Sequence, residues 1–478
     1  MKPFQTFLVG TAALLFGAVG ILPPTIAQKV IYPENAPSPF LVKTEVPVRP
    51  EGQKDMLLYR APKLETVRIG FIGMGMRGPG AVERMAQIEG TKIAAICDKH
   101  EDRVKEANEL LVKQGRPAAA EYYGSEDAWK KLCERTDIDL VYITTNWQTH
   151  VEMALYAMEH GKHVAVEVPA AFSLEDIWAL INTSERTRKH CMMLENCVYD
   201  FFEMTTLNMI QKGLFGEVMY AEGGYMHNLE PFWPYYENNW RMDYNHKHRG
   251  DIYPTHGVGP ACQALGIHRG DKMNVLVSMD ASPVSVPNYL KTHNQDPTGY
   301  QNGEHTMTLI RTEKGKTIFI HHDVATPHPY DRLYLIQGTK GKAQKYPVEH
   351  YSFVSDELLK DSAMPDHENL NMEEWLSPEQ QKALIEKYKH PITSELEDVA
   401  KKVGGHGGMD FIMDYRLIYC LRNGLPLDQD VYDLAEWCSL IPLSKISIEN
   451  GFAPVEVPDF TRGGWDKIDG YHHYTLPK

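Results

Sequence analysis

The feature that most constrains this chain is a glycine-rich turn between a strand pattern and a helix pattern. The apolar run at 67–72 predicts a buried strand, and a periodic segment from about 79 to 88 predicts a helix. Between them, Gly73, Gly75 and Gly78 permit a tight turn and a close backbone approach to a pyrophosphate at the helix N-terminus. Asp98 ends the second predicted strand, where a carboxylate accepts hydrogen bonds from ribose hydroxyls. The turn predicts a dinucleotide site, and the acid favours NAD over NADP, although Arg77 in the same turn leaves that choice open.

Strand and helix patterns alternate through the rest of the first half. At this spacing, alternation predicts a parallel sheet with helices on both faces. We therefore expect an α/β fold with a doubly wound N-terminal Rossmann sheet in a domain at 66–195. The further predicted elements are strands at 92–97, 140–144 and 163–166 and helices at 103–114 and 151–160.

The pattern changes after about Asn196. Alternating apolar and polar stretches there indicate an antiparallel sheet. We expect a C-terminal α+β domain at 196–478 with an open, mainly antiparallel sheet and a C-terminal extension. Such open sheets commonly self-associate, so a homo-oligomer is compatible with this sequence. The predicted elements are helices at 203–212 and 410–423, strands at 218–225, 306–311, 317–322 and 332–337, partly helical polar sequence at 346–400 and an irregular segment at 227–257.

The N-terminus has the pattern of a secretory signal peptide. Lys2 precedes an apolar run at 7–22, and small residues follow two prolines up to Ala27. We expect a signal peptide at 1–27, export to the periplasm or the medium, and no membrane association after cleavage. An uncleaved anchor is the alternative, but the run is shorter than the roughly 20 residues of a spanning helix. The proline-rich segment at 28–65 predicts an extended arm.

Charge and composition narrow the partners. A formal charge of -15 argues against nucleic acid or anionic membranes, so a small molecule is the expected ligand. The seven cysteines are scattered without a C-x-x-C pair and indicate no disulfide framework. The histidine groups at 246–248 and 321–323 match no metal-ligand spacing, so we expect no metal.

Several motifs together resemble the Gfo/Idh/MocA family of oxidoreductases. They are the glycine turn, Asp98, the Thr-Thr-Asn-Trp-Gln-Thr-His turn at 144–150 and the segment at 161–169. Most of that family has Glu-Lys-Pro in the last motif, with the lysine close to the reacting hydroxyl. This chain has Val168 there, and a valine cannot carry a proton. Ordinary dehydrogenase chemistry is therefore not expected.

With Val168 in place of this lysine, the chain resembles glycoside hydrolase family 109, typified by NAD-dependent α-N-acetylgalactosaminidases. The likeness rests on the segments at 167–169, 195–197 and above all 250–260. It implies a glycan substrate, release of terminal N-acetylgalactosamine, and a cycle of oxidation, elimination, water addition and reduction. Tightly bound NAD would be regenerated in every turnover, which makes export compatible with an NAD enzyme. The alternatives are a sugar oxidoreductase and a non-catalytic NAD-bearing sugar-binding protein.

The resemblance also assigns residues. Tyr253 and His256 would form the acid/base pair, in either order, and both residue types can move protons near a sugar ring. The aromatic segment at 233–244 and Arg241 suit the apolar face and the oxygens of a pyranose. The implied NAD contacts are Met76, Arg77, Asp98, Trp147, Gln148, Thr149, His150, Glu167, Val168 and Asn196. The implied sugar contacts are Tyr225, Arg241, Tyr253, Pro254, Thr255, His256 and Tyr330.

Overall fold

The computed structural model describes residues 40–353 and 373–471 of the 478-residue chain. The predicted signal peptide and the first part of the predicted arm lie outside the described residues. From 42 to 65 the chain forms no helix or strand, apart from an isolated bridge between Val42 and Val455. Arg49 of this segment forms an ion pair of 3.0 Å with the buried carboxylate of Glu185.

The first half contains a six-stranded parallel sheet in the order β3-β2-β1-β4-β5-β6, which confirms the predicted doubly wound Rossmann fold. The central strands β1, β4 and β5 are nearly continuous buried runs because helices cover both faces, while the edge strand β3 is half-buried to exposed. The strands are β1 (Val67–Ile72), β2 (Thr91–Cys97), β3 (Ala120–Tyr122), β4 (Leu140–Ile143), β5 (His163–Val166) and β6 (Cys191–Met193). The helices of this half are α1 (Gly78–Gln87), α2 (Glu101–Lys113), α3 (Ala128–Cys133), α4 (His150–Glu159) and α5 (Leu174–Thr187).

The second half is built on an eight-stranded, mainly antiparallel sheet, as predicted. Its order is β13-β12-β11-β7-β10-β9-β8-β14, and β7 with β10 is the parallel pair. In β9, buried and exposed residues alternate strictly, so this sheet has one covered and one open face. The strands are β7 (Val218–Met226), β8 (Met273–Asp280), β9 (Thr306–Thr312), β10 (Thr317–Asp323), β11 (Leu335–Gly338), β12 (Gly341–Gln344), β13 (His350–Phe353) and β14 (Val455–Glu456).

Helices cover one face of this sheet, and some also contact the first half. They are α6 (Phe201–Gln211), α7 (Trp240–Lys247), α8 (Thr255–Leu265), α9 (Ser285–Thr292), α10 (Pro378–Tyr388), α11 (Pro391–Val403), α12 (Met409–Asn423) and α13 (Val431–Glu449). Buried α13 packs on β8 of the second sheet and on α5 and β6 of the first. Among the helices of the described ranges, none combines the length and apolar character needed to cross a membrane.

The prediction of an irregular segment at 227–257 is wrong in part, because α7 and the start of α8 lie within it. Helix α8 contains Gly257 and Pro260, which normally argue against a helix interior. The glycine is there for packing, since a Cβ on Gly257 would lie 2.2 Å from the backbone nitrogen of Gly224 in β7. The absence of side chains brings α8 onto the middle of the sheet, and this contact fixes the position of His256 in its first turn.

Candidate functional site

A cleft of about 1190 Å³ opens at the carboxyl ends of the parallel strands, where ligands of such sheets bind. Both halves of the chain line it. Most of the predicted site residues lie on its walls, namely Gly73, Gly75, Met76, Arg77, Asp98, Trp147, Gln148, Thr149, His150, Glu167, Val168, Asn196, Tyr225, Arg241, Tyr253, His256 and Tyr330. Gly78, Pro254 and Thr255 are buried beside it and do not line it.

The three motif glycines have different environments. Gly73 has a φ of +96°, and its Cβ would lie 2.8 Å from the backbone carbonyl of Thr144. A Cβ on Gly78 would lie 2.2 Å from the carbonyl oxygen of Gly73. Gly75 lines the cleft, and a Cβ there would meet no protein atom within 4 Å. The protein itself requires two of the glycines, while the free space over Gly75 fits the close approach of a dinucleotide pyrophosphate.

Asp98 is held at the end of β2 by backbone donors. The Met74 N–H donates to its Oδ2 over 2.6 Å, and the His100 N–H donates to its Oδ1 over 2.9 Å. The Asp98 side chain therefore holds the glycine turn through the Met74 N–H and also lines the cleft. This is the position from which a carboxylate contacts the ribose of a bound dinucleotide.

Arg77 is engaged by two carboxylates. Its Nε donates to Glu167 over 3.2 Å and its Nη2 to Asp410 over 3.1 Å. The charge of Glu167, more than that of Asp410, raises the pKa of Arg77 above its usual range, although burial opposes the shift. Asn196 donates to the same Asp410 over 2.5 Å. Asp410, from the start of α12, thus holds two of the residues assigned to the cofactor, and the sequence analysis did not identify it.

Burial of Asp410 favours its neutral form, but its cationic and hydrogen-bonding neighbours outweigh this effect. The contact with His406, followed by the charges of Arg77 and Arg84, holds the pKa of Asp410 well below its usual value. The carboxylate is therefore ionised at neutral pH. His406 lines the same cleft, 2.9 Å from Asp410, and it too was missed.

Trp147 and His150 serve the wall itself. The indole N–H of Trp147 donates to the Val168 carbonyl over 3.2 Å, and its ring stacks on Tyr253 at 5.7 Å between centroids. Both ring nitrogens of His150 lie against backbone carbonyls, 2.9 Å from Pro169 and 3.1 Å from Thr145. Trp147 therefore connects the cofactor wall to the predicted sugar side. His150 stabilises the wall, since both of its ring nitrogens face backbone carbonyls.

The two predicted acid/base residues lie together with a third group. His256 Nδ1 lies 2.7 Å from Oε1 of Glu195, and His256 Nε2 lies 3.5 Å from the Tyr253 hydroxyl. Glu195 is completely buried, which by itself raises its pKa, but the charge and hydrogen bond of His256 bring the pKa below its usual value. An ionised carboxylate thus fixes Nδ1 as the donor and leaves Nε2 towards Tyr253. Burial raises the pKa of Tyr253 well above its usual range, so its phenol stays protonated.

Arg241 lies among aromatic rings at the same place. Its guanidinium is 4.8 Å from the centre of the Tyr253 ring and 4.9 Å from that of Trp147, and it donates to the Tyr236 hydroxyl over 2.9 Å. Burial alone would lower the pKa of Arg241, but the surrounding phenols outweigh this effect and raise the pKa above its usual value, so the side chain stays cationic. No carboxylate in the described parts of the chain forms an ion pair with it, and its buried Nε has no hydrogen-bond partner there. This cation is available to ligand oxygens.

Two further tyrosines complete this end of the cleft. The Tyr225 ring lies 4.5 Å from that of Tyr253, and its hydroxyl lies 2.9 Å from His227 Nδ1. Tyr330 is 42% exposed at the mouth, with its ring 5.0 Å from that of His227. His227 lines the cleft and was not predicted.

One group at the site could in principle hold a metal. Ligand atoms of Glu195, Cys197 and His256 lie within 4.8 Å of one another. The Cys197 sulfur, however, accepts a hydrogen bond of 2.6 Å from Arg332, and burial raises the pKa of the thiol well above its usual range. Because a thiolate is the form that binds metals, the state of Cys197 does not favour a metal at this group.

Comparison with known families gives matches to both halves. Residues 67–195 match the oxidoreductase family with an NAD-binding Rossmann fold, Gfo/Idh/MocA. Residues 199–467 match the C-terminal domain of glycosyl hydrolase 109. Two relatives carry the corresponding name. "Glycosyl hydrolase family 109 protein 1" of Phocaeicola vulgatus is 60% identical over 99% of both chains, and "Glycosyl hydrolase family 109 protein" of Porphyromonas gingivalis is 65% identical over 90% of this chain and 92% of its own.

Solved structures share the fold at low sequence identity. An oxidoreductase domain protein from Kribbella flavida superposes with a TM-score of 0.63 at 16% identity, over 82% of this chain and 100% of its own. Levoglucosan dehydrogenase in complex with NADH gives a TM-score of 0.59 at 16% identity, over 82% of this chain and 99% of its own. Scyllo-inositol dehydrogenase from Lactobacillus casei, solved with NAD(H) and scyllo-inositol, gives 0.57 at 14% identity, over 82% and 99%. These similarities show the architecture alone.

Proposed function

This chain belongs to glycosyl hydrolase family 109, and we propose that it is an exported α-N-acetylgalactosaminidase that uses tightly bound NAD and regenerates it in each turnover. The family and the NAD-binding fold make it an NAD-dependent glycoside hydrolase acting on a glycan. The sugar, its anomeric linkage, the redox cycle and export are the parts that we propose.

The observation that carries the proposal is the array of Glu195, His256 and Tyr253, in which His256 and Tyr253 line the cleft that also contains the glycine turn and buried Glu195 contacts His256. Oxidation of the C3 hydroxyl releases its proton besides the hydride, and elimination takes another from C2. The leaving oxygen, C2 and the C3 oxygen take protons back, the third coming from the added water, so the site needs groups that both take and return protons. His256 Nε2 is suited to hold the C2 proton, because Glu195 stabilises the imidazolium that results. The protonated phenol of Tyr253 is suited to donate to sugar oxygens as charge develops on them.

The remaining residues position the two ligands. Arg241 would donate from its unpartnered Nε to ligand oxygens, while Tyr225 and Tyr330 offer flat rings to the sugar. Gly75, Asp98 and Asn196 are suited to hold the dinucleotide. When bound, NAD supplies reversible acceptance of hydride from the sugar. Val168 contributes packing and a carbonyl to this wall, so the proton chemistry falls to the array opposite it.

The decisive experiment uses a nitrophenyl N-acetyl-α-galactosaminide labelled with deuterium at C2. We expect release of nitrophenol, loss of the label to solvent and no net accumulation of NADH. Removal of NAD from the protein should stop the reaction, and adding NAD back should restore it. Retention of the label in the released sugar would exclude the elimination step, and net accumulation of NADH would identify a sugar oxidoreductase instead.

Export is tested separately. The processed chain, beginning at Gln28, should be found in the periplasmic or extracellular fraction and should carry NAD when purified from it. A full-length chain confined to the cytoplasm would contradict this part of the proposal and leave the glycosidase activity unaffected.

A further inference from the structure

At the end of the cleft where Asp98 lies, a cluster of ion pairs joins the two walls. Glu237, in a short 3-10 turn at Glu237–Asn239 of the second half, faces three basic residues of the first half. Its Oε1 lies 2.8 Å from Lys99 Nζ and 3.2 Å from His100 Nε2, and its Oε2 lies 2.8 Å from Arg103 Nη2. Both carboxylate oxygens are therefore in use.

The three basic residues lie where the extra phosphate of NADP would be bound. Lys99 and His100 follow Asp98 directly in the sequence, and Arg103 lies in the first turn of α2 with its Nη1 3.9 Å from Asp98 Oδ1. In Rossmann domains this position contacts the 2′ oxygen of the adenosine ribose, and a nearby arginine accommodates a 2′-phosphate. Lys99, His100 and Arg103 taken alone would thus favour NADP, in opposition to Asp98.

The cluster is open to water. The side chains of Lys99 and Glu237 are 45% and 32% exposed, and both residues line the cleft together with Arg103. Ion pairs of this exposure contribute little to folding stability. A negative charge at the same place has a much larger effect on a phosphate that carries nearly two negative charges. The arrangement therefore points to selection between ligands more than to stabilisation of the fold.

The backbone at Glu237 is arranged to present this side chain. Asn238 and Asn239 follow it with φ of +52° and +54°, a left-handed conformation that asparagine tolerates better than most residues. Because two successive residues adopt it, the turn reverses the chain at the cleft and directs Glu237 across to the opposite wall.

We propose that Glu237 makes this cofactor site selective for NAD over NADP. Its carboxylate forms ion pairs with the three basic side chains that would otherwise bind a 2′-phosphate. A 2′-phosphate would therefore have to displace the Glu237 carboxylate and would also lie close to the carboxylate of Asp98. The inference rests on dinucleotide binding by the Rossmann half and not on the sugar chemistry. It can therefore fail while the glycosidase proposal stands, and the glycosidase proposal can fail while this inference stands.

The test measures binding to protein from which the cofactor has been removed. The dissociation constants of NAD and NADP are determined by calorimetry for the wild type, Glu237→Gln and the control Glu230→Gln, an exposed acid in the preceding turn. In Glu237→Gln we expect the ratio Kd(NADP)/Kd(NAD) to fall at least about tenfold, because charge-assisted contacts from arginine and lysine to phosphate become free. Glu230→Gln should keep the wild-type ratio.

A second variant identifies the cations. Adding Arg103→Ala to Glu237→Gln should remove most of the gained affinity for NADP, and Glu237→Ala should reproduce the gain if the glutamine variant folds poorly. An unchanged ratio in both Glu237 variants would overturn the proposal. Equal weakening of NAD and NADP would overturn it too, since Glu237 would then only brace the two walls.

Discussion

His256 Nδ1 lies 2.7 Å from Oε1 of Glu195, a carboxylate without any exposed side-chain surface. The carboxylate follows β6 of the first half, and the imidazole lies in the first turn of α8, so the pair joins the cofactor side to the sugar side. Glu195→Gln removes the charge while keeping the shape. We expect kcat to fall about 10²- to 10⁴-fold with bound NAD unchanged, because the ionised partner fixes the tautomer of the imidazole and stabilises its protonated form.

The comparison variant for this pair is His256→Ala. Loss of the proton carrier itself should lower turnover by about 10²- to 10⁴-fold and leave the NAD content at the wild-type level. Initial rates on the nitrophenyl glycoside and the absorbance of released cofactor measure both quantities. Wild-type rates in His256→Ala would remove this residue from the chemistry, and Glu222→Gln, on β7 outside the cleft, serves as the matched control for Glu195.

Gly75 and Gly78 should separate cofactor binding from folding. A Cβ at Gly78 would lie 2.2 Å from the Gly73 carbonyl oxygen, so Gly78→Ala should lower the free energy of unfolding by about 1–3 kcal/mol. A Cβ at Gly75 meets no protein atom within 4 Å, so Gly75→Ala should leave the stability of the cofactor-free protein within about 0.5 kcal/mol. Its affinity for NAD should nevertheless fall.

Thermal unfolding of the cofactor-free variants and calorimetric titration with NAD give the two readouts. If Gly75→Ala bound NAD as tightly as the wild type, the pyrophosphate would not lie over this residue. If Gly78→Ala were as stable as the wild type, the start of α1 would have more room than its distance to Gly73 shows.

Four strands of the first half were predictable because each is a mainly apolar run beside a periodic helix, whereas β3, with the sequence Ala-Glu-Tyr, and the short β6 give no such signal. His163–Val166 occupies the four residues that its pattern predicts. The second half was harder for a physical reason. Helix α8 carries glycine and proline where it touches β7, and α13 is buried on all sides, so neither shows the one-sided pattern by which a helix is predicted.

The resemblance assigned residues to the cofactor and sugar sides, whereas it assigned no role to the residues that connect them. Asp410 contacts Arg77 and Asn196 across more than two hundred positions of sequence, and Glu237 meets Lys99 across the cleft. A lone acid on a helix or in an aromatic loop gives no signal of such a partner, because the fold alone brings the charges together. Glu195 was named as part of a motif, yet its contact with His256 required the packing of α8.

Asp98→Ala should affect both the cofactor and the turn above it. The variant loses the acceptors of the Met74 and His100 N–H groups as well as the proposed ribose contact. We expect less than one NAD per chain after purification and a loss of about 1–3 kcal/mol in the free energy of unfolding, since buried donors lose their partner. Asp102→Ala, on the exposed side of α2, is the control, and undiminished cofactor content in Asp98→Ala would contradict the ribose contact.

Asp251 makes the stability of the protein depend on pH. Its side chain is fully buried, with Oδ1 accepting from the Tyr253 N–H and Oδ2 without a hydrogen-bond partner among the described residues. Burial raises the pKa of Asp251 to about 7, whereas an unfolded chain titrates near 3.9. Between these values the unfolded chain has lost the proton and the folded protein keeps it, so the free energy of unfolding falls by up to about 1.4 kcal/mol per pH unit as pH rises.

Asp251→Asn removes this titration, and its stability relative to the wild type should therefore increase from pH 5 to pH 7 and stay constant above. Urea unfolding across this range measures the difference, with exposed Asp466→Asn as the control, and a difference independent of pH would show that Asp251 is already ionised in the folded protein.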